Sequence, residues 1–378
     1  MVALQGGELM TEGSGMLKIG INLGFGNLHE TLSDEEMYEG DISVAVLADQ
    51  LGYDAIWCVE HHFDDYAMCP DNFVMLAHLA ALTSRCQLGT GAVILPWNNP
   101  LRVAEKAIML DILSQGRLFL GLGRGLSRKE YEPFRIPLDE SRERFDEAAA
   151  MIFDAVETGV MEGDGTFYPQ PRAVLRPRPR GSFEGRRAVV AGSPDSLAIA
   201  AHLKAQMLSF LIRPAETYIG EVTRYRELYE SEHGEVAPAV AFGIAMYCHE
   251  DDEVAHERHQ EYTHRLFMST VDHYEFAGEH FATTKGYERY AESAKLLRDA
   301  GLEKSAENYA GTTLWGSPER ILGRIEEIRD VIGDFELSLQ CAFGGMPYDQ
   351  ARASIELFAR EVMPKARDMR VERVAVGS

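Results

Sequence analysis

The stretch Gly52–Phe63, GYDAIWCVEHHF, sets an acid and two imidazoles, Glu60, His61 and His62, at the end of the apolar run Ala55–Val59. A buried strand that stops at such a triplet presents chemistry at the carboxyl edge of a barrel or an open parallel sheet. Histidine titrates nearest neutrality, so the pair suits proton transfer, metal binding or contact with an anion. The plainer account is a strand-end histidine bonded to backbone; the triplet as a whole favours chemistry. Neighbouring residues at a strand end point in opposite directions, and no HxxxH helix completes a ligand set around His61, His62, Asp64 and Asp65. No metal is expected. The absence of a GxSxG elbow argues against a Ser-His-Asp hydrolase.

Other segments offer places for a ligand. Leu118–Gly125 reads LFLGLGRG, but Gly121 and Gly123 are followed by Leu126 and fail the third glycine of GxGxxG. Glycines at a strand end allow close approach to the backbone, and Arg124 among them can neutralise a phosphate or a ring oxygen. A surface arginine is the alternative. In Ala191–Ser196, AGSPDS, Ser193 can cap a helix with Pro194 at its first position. The N–H groups around Gly192 and the hydroxyls of Ser193 and Ser196 make a phosphate seat, or an ordinary helix start. Ser317–Pro318 in GTTLWGSPERI offers a second such start, and spacing does not choose between them. Gly89–Pro96, GTGAVILP, would let a flat ring lie against Gly91–Ala92, with Trp97 as a pocket wall or as packing.

The elements that must position these residues alternate. Strands are expected at Leu17–Leu23, Ala55–Val59, Gln87–Leu95, Arg117–Gly121, Ala188–Ala191, Met207–Leu211, Val240–Tyr247 and Phe335–Cys341. Helices are expected from Ser33 to about Leu51, from Asn72 to Leu82, over Pro100–Leu113, and from about Glu140 to Val156. Eight strands alternating with helices predict an α/β fold, a (β/α)8 TIM barrel with insertions, with a doubly wound sheet as the rival. One insertion, Met161–Arg187, is rich in Pro, Gly and Arg, and its Arg172, Arg176, Arg178 and Arg180 read as a surface cluster. A second, about 269–314, is long enough for a lid or binding loop and carries His273, Tyr274, Phe276, His280, Phe281, Tyr287 and Tyr290. Asp111 and Arg117 read as structural salt-bridge partners. One barrel domain over 16–368 is expected, between a disordered tail at 1–15 and a C-terminal tail at 369–378.

Composition narrows the function. The net charge of −23 over 378 residues opposes a nucleic-acid backbone or an anionic membrane as main partner. It does not oppose a small anion held by local donors. Five scattered cysteines, never spaced CxxC, suit a reducing cytoplasm better than a disulfide framework. Residues 1–15 lack the cationic start and apolar core of a secretory signal, and no run is long enough to span a membrane.

EHHF (Glu60–Phe63), GTGAVILPWNNPLR (Gly89–Arg102), LDILSQGRLFLGLGRGL (Leu110–Leu126), WGSPE (Trp315–Glu319) and LFAREVMP (Leu357–Pro364) together resemble the bacterial luciferase-like flavin monooxygenases, above all the luciferase α-subunit branch. The likeness runs from about Met16 to Pro364 and implies a (β/α)8 barrel. It implies reduced FMN at the carboxyl ends of the strands, supplied by a separate NAD(P)H:flavin reductase and reacting with O2 to a C4a-peroxyflavin. By the same likeness His61 matches the catalytic histidine, Gly91–Ala92 a non-proline cis peptide under the flavin ring, and Arg124 with the Ser193/Ser196 turn the phosphate contacts. Gly121, Gly123 and Ala92 would form the surface under the flavin, with Glu60 and His62 as orienting groups. The 269–314 insertion matches a mobile lid, and family members are commonly dimers. Gly123 stands where luciferase has a reactive cysteine, and Gly192 where it has a phosphate-side glutamate. Light emission is therefore not implied, and flavin and substrate specificity stay open. The expectation is an FMN-dependent monooxygenase acting on a small, largely apolar aldehyde- or alkane-like substrate. The alternatives are a deazaflavin-dependent oxidoreductase and a non-catalytic partner subunit.

Overall fold

The computed structural model describes residues 16–28, 32–282, 284 and 287–369. The tail expected at 1–15 lies outside the described residues, as does that expected at 369–378 apart from Met369. Eight parallel strands close into a barrel: β1 (Ile19–Leu23), β2 (Ala55–Cys58), β3 (Gln87–Thr90), β4 (Leu118–Gly123), β5 (Arg187–Val190), β6 (Gln206–Phe210), β7 (Val240–Cys248) and β8 (Phe335–Gln340). Each pairs with the next, and β8 pairs back onto β1 with Ile21 beside Leu339. Near-continuous apolar runs such as AIWC and VAFGIAMYC suit strands covered on both faces. The doubly wound alternative is excluded by this closure.

The third expected strand is broken. β3 ends at Thr90, the Gly91–Ala92 peptide is cis, and pairing resumes at Val93–Ile94 against the end of β4. β4 in turn runs two residues further than its pattern suggested, through Gly123.

Inside the barrel, Trp57 and Phe119 lie 5.3 Å apart among Ala55, Ala188, Leu208 and Ala241. Small residues make room for them: a Cβ at Gly89 would stand 2.4 Å from the Trp57 ring. The outer layer includes α1 (Asp34–Leu51), α2 (Asn72–Leu82), α3 (Pro100–Leu113), α4 (Arg128–Phe134), α5 (Ser141–Thr158), α6 (Pro194–His202), α7 (Ile219–His233) and α8 (Asp252–His273). Ser33 caps α1 reciprocally with Glu36, and Gly52 ends it in the left-handed region. Together these residues fix the turn into β2, and so the place where the Glu60–His62 triplet emerges.

The Arg-rich insertion contains an antiparallel hairpin, Val160–Gly163 with Gln170–Val174, and Arg172, Arg176, Arg178 and Arg180 are all exposed. The stretch 269–314 includes the last turn of α8, an irregular segment, α9 (Glu288–Ala300) and α10 (Leu302–Ala310). Among the described residues no helix is long and apolar enough to cross a membrane. Asp111 and Arg117 do not pair with each other. Asp111 meets Arg186 at 2.5 Å, and the Arg117 guanidinium is spent on the carbonyls of Ala80, Thr83, Cys86 and Ser114 and on the Thr83 hydroxyl.

Candidate functional site

The carboxyl ends of β2 to β5 carry most of the candidate residues, in the same order in space as in the chain. Gly91 N–H donates to the Cys58 carbonyl at 2.8 Å, so the cis Gly91–Ala92 turn abuts the start of the Glu60–His62 segment. A Cβ on Gly123 would lie 3.1 Å from Ala92 Cβ and 3.7 Å from Val190 Cγ2, which joins β3, β4 and β5 at one level of the rim. Gly192–Ser196 follows β5 directly.

The two histidines diverge as the alternation of a strand end requires. His62 turns toward Glu60, at 3.4 Å, and meets the Phe134 ring edge-on at 4.8 Å. Glu60 also accepts Trp97 Nε1–H and Asn98 Nδ2–H, both at 2.8 Å, and the Ile94 N–H at 3.2 Å. It therefore ties β2 to the β3–α3 turn, and Trp97, one of its donors, stacks on Phe134.

His61 turns the other way, toward a residue the sequence reading missed. Its Nδ1 lies 3.0 Å from Glu130 Oε1, which also accepts the His62 N–H at 2.8 Å. Its Nε2 is 3.3 Å from the Tyr274 hydroxyl. His273 closes the cluster, with its ring centroid 5.0 Å from that of His61 and stacked at 4.6 Å on Tyr66. Burial works to raise the Glu130 pKa, but the hydrogen bond and charge of His61, the charge of His273 and the His62 N–H outweigh it, and the carboxyl stays below its ordinary range. Burial, helped by the neighbouring His61, holds His273 below the usual histidine value. His61, Glu130 and His273 bring ligand-type atoms within 4.8 Å of one another, a different set from the one weighed in the sequence. Glu130 lies 69 residues from His61, and no spacing links them; only an acid just after the glycine-rich strand could have hinted at it.

The start of α4 fastens the end of α8 over this cluster. Ser127 Oγ donates to the His273 carbonyl at 2.9 Å. Lys129 pairs with Asp272 and Arg128 with Glu275, each at 2.8 Å. Beyond it, Phe281 and Tyr287 pack with Phe276, Tyr290, Leu126 and Leu138. Tyr287 donates to the Gly125 carbonyl at 3.2 Å, and the Arg124 guanidinium lies 4.2 Å from the centre of its ring.

At the β5 turn, Ser193 caps α6 and its hydroxyl lies 2.9 Å from that of Ser196, which accepts the Gly192 and Ser193 N–H groups. A Cβ on Gly192 would meet nothing within 4 Å, so the turn faces open space. The rival start at Ser317 has a carboxylate beside it, which disfavours an anion there: its N–H donates to Asp252 Oδ1 at 2.6 Å. Gly121 is not on the rim. Its N–H and carbonyl both bond the Thr90 hydroxyl, and a Cβ there would run into the Thr90 carbonyl, so strand packing demands the glycine.

A closed parallel barrel with acid–imidazole chemistry and a capped helix start on its carboxyl rim is the frame of a barrel enzyme. The chain belongs to the luciferase-like monooxygenases: the model of that family matches residues 17–334. It is 26% identical over 347 residues to the alkanal monooxygenase alpha chain of Photobacterium leiognathi, covering 89% of this chain and 95% of that one. It is 25% identical over 359 residues to the oxygenase component of the flavin-dependent trigonelline monooxygenase of Acinetobacter baylyi, covering 91% and 95%. Among solved structures, monooxygenase RslO1 from Streptomyces bottropensis superposes with a TM-score of 0.74 at 30% identity, over 92% of this chain and 99% of that one. The protein is a flavin-dependent oxidoreductase built on a (β/α)8 barrel.

Proposed function

We propose that this protein is an FMN-dependent monooxygenase of the cytoplasm that receives reduced flavin from a separate NAD(P)H:flavin reductase. It uses O2 to oxygenate a small, largely apolar substrate of the aldehyde or alkane kind. The observation that carries the reading is the order of the rim: proton-handling His61, the Gly91–Ala92 turn, Gly123–Arg124 and the α6 start occupy four successive strand ends. A flat ring with a phosphate tail fits such a row. The named activities of the alkanal monooxygenase and of the trigonelline oxygenase component support the substrate class and the two-component arrangement.

Bound reduced flavin would supply the electrons that activate O2. Arg124, the Ser193 and Ser196 hydroxyls and the start of α6 would hold its phosphate, a role that a helix N-terminus and a guanidinium serve well. Gly91–Ala92 and Gly123, packed together at the ends of β3 and β4, would form the floor under its ring. His61 holds or moves a proton at Nε2 while Glu130 fixes its ring through Nδ1. Phe276, Phe281, Tyr287 and Tyr290 form the wall of a lid that excludes water. Exposed Val74 and Leu82 on α2, and Met109, Ile112 and Leu113 on α3, supply an apolar face for a homodimer.

The test is stopped-flow mixing of the protein with photoreduced FMN in aerated buffer, following oxygen uptake and the flavin spectrum. A transient band at the ultraviolet–blue edge, lost in His61→Ala, is the expected result. Reoxidation no faster than that of free FMN would overturn the reading. Binding of reduced deazaflavin without oxygen uptake would replace it with hydride transfer.

A further inference from the structure

His61 faces a carboxylate whose other neighbours lead away from the rim. Glu130 Oε1 lies 3.0 Å from His61 Nδ1 and 3.7 Å from His273 Nε2. On the far side of that second ring, Nδ1 lies 3.2 Å from Asp64 Oδ2. The His273 and Glu130 side chains are 0% and 1% exposed, and His61 is 14% exposed. Asp64 is 21% exposed and sits beside Lys129, whose ammonium is 3.6 Å away. Imidazole and carboxylate thus alternate from the rim histidine to the surface.

We propose that Asp64, His273 and Glu130 form a proton relay connecting the ring of His61 to the protein surface. The inference rests on the monooxygenase reading, in which a lid keeps water from the reacting centre. A site closed to water still has to exchange protons, and the side chains must then carry them. A purely structural histidine needs one partner for one ring nitrogen. His273 presents both nitrogens to carboxylates while Tyr66 stacks on its ring and Tyr274 meets it edge-on at 4.7 Å. The charged and titratable groups facing it are His61, Asp64 and Tyr66 from the β2–α2 connection and Lys129 and Glu130 from α4. Asp272 and Tyr274 flank it at the end of α8.

The transfer balances without a co-reactant. A proton taken up by His61 at Nε2 lets its Nδ1 proton pass to Glu130, which hands it to His273 Nε2. His273 then releases its Nδ1 proton to Asp64, which gives it to solvent. Neither His273 nitrogen makes a hydrogen bond in this arrangement, so a small turn and shift of the ring must align Nδ1 with Asp64 and bring Nε2 within reach of Glu130. Both rings end as the opposite tautomer and are restored by a ring turn or by return of a proton. Because Ser127 holds the His273 carbonyl, the middle of the relay is in place only when the end of α8 is docked on α4.

The experiment compares the full-length protein with His273→Gln, which keeps a polar side chain but cannot pass a proton, and with His273→Phe. The first measurement needs no flavin: in protein carrying ¹⁵N-labelled histidine, the exchange of the His61 ring proton with solvent is followed by NMR. Slower exchange in His273→Gln is expected; an unchanged rate overturns the relay. The second is turnover with reduced FMN against pH. His273→Gln should lose on the order of 10²-fold in kcat with little change in KM, gain a larger solvent deuterium isotope effect, and recover in part with added imidazole. A kcat within about twofold of the parent, with the same isotope effect, overturns the relay. If His273→Phe fails to fold, the glutamine variant decides. Absence of flavin turnover in the parent protein would sink the monooxygenase reading, and the exchange measurement would still judge the relay.

Discussion

A Cβ placed on Gly121 would stand 2.1 Å from the carbonyl oxygen of Thr90. The two residues also exchange hydrogen bonds of 2.7 and 2.8 Å through the Thr90 hydroxyl. Gly121 is thus held by the neighbouring strand, whereas Gly123 meets only side-chain methyl groups, at 3.1 Å. Gly121→Ala should cost about 3 kcal/mol or more, and Gly123→Ala only about 1 kcal/mol. Urea unfolding of the two variants checks the contrast; equal losses would show that both glycines answer to the same constraint.

Arg124 is the cation assigned to the flavin phosphate. Charge-assisted hydrogen bonds contribute roughly 1.5–3 kcal/mol, so Arg124→Ala should weaken FMN binding by about ten- to a hundredfold. Riboflavin, which lacks the phosphate, should bind the parent and the variant alike. Calorimetric titration with both flavins separates this from a general loss of the pocket, which would weaken both.

Glu60 accepts from Trp97, Asn98 and the Ile94 N–H, and a glutamine would turn an amide donor against at least one of them. Glu60→Gln should therefore destabilise the fold by about 2–3 kcal/mol. The accompanying change in near-ultraviolet dichroism should report Trp97. A variant as stable as the parent would reduce Glu60 to a bystander.

Asp41 on α1 is buried, and burial pushes its carboxyl up to about 7 against the opposing hydrogen bond from Tyr348. The folded state holds the proton that the unfolded chain releases near pH 4. Stability from this group is therefore greatest below that value, falls as pH rises toward 7, and is level above. A shift of this size corresponds to about 4 kcal/mol. Asp41→Asn should flatten the profile, raising Tm at pH 8 with little gain at pH 4. A Tm gain at pH 4 matching that at pH 8 would contradict it.

Leu113 on α3 is 54% exposed among other apolar side chains. Leu113→Glu should convert a homodimer to a monomer in light scattering at micromolar concentration while leaving the barrel folded. A parent protein that is already monomeric would remove the dimer from the proposal.

The barrel was legible because its signals are local. All eight strands lie within a few residues of their apolar runs, and Ser33 and Ser193 cap helices where their types predict. The rim residues followed because strand ends order them. Glu130 and His273 were not legible as site residues, since closing the barrel and docking the end of α8 bring them to His61 from distant parts of the chain. The misassignment of Arg117 has a similar origin: nothing in its neighbourhood reveals that carbonyls, not Asp111, will surround it.

The clamp between α4 and the end of α8 also fixes how this chain could be recombined with others of its kind. Every residue assigned to the flavin lies before position 200, and the aromatic wall comes from beyond 270. A chimera that imports a foreign wall must cross over after Glu275, so that Ser127, Arg128 and Lys129 keep their native anchors. It must also carry a tyrosine at 287 to meet Gly125 and Arg124. Between those two anchor points lie Phe276 and Phe281, and substrate preference is the property that exchanging them would alter.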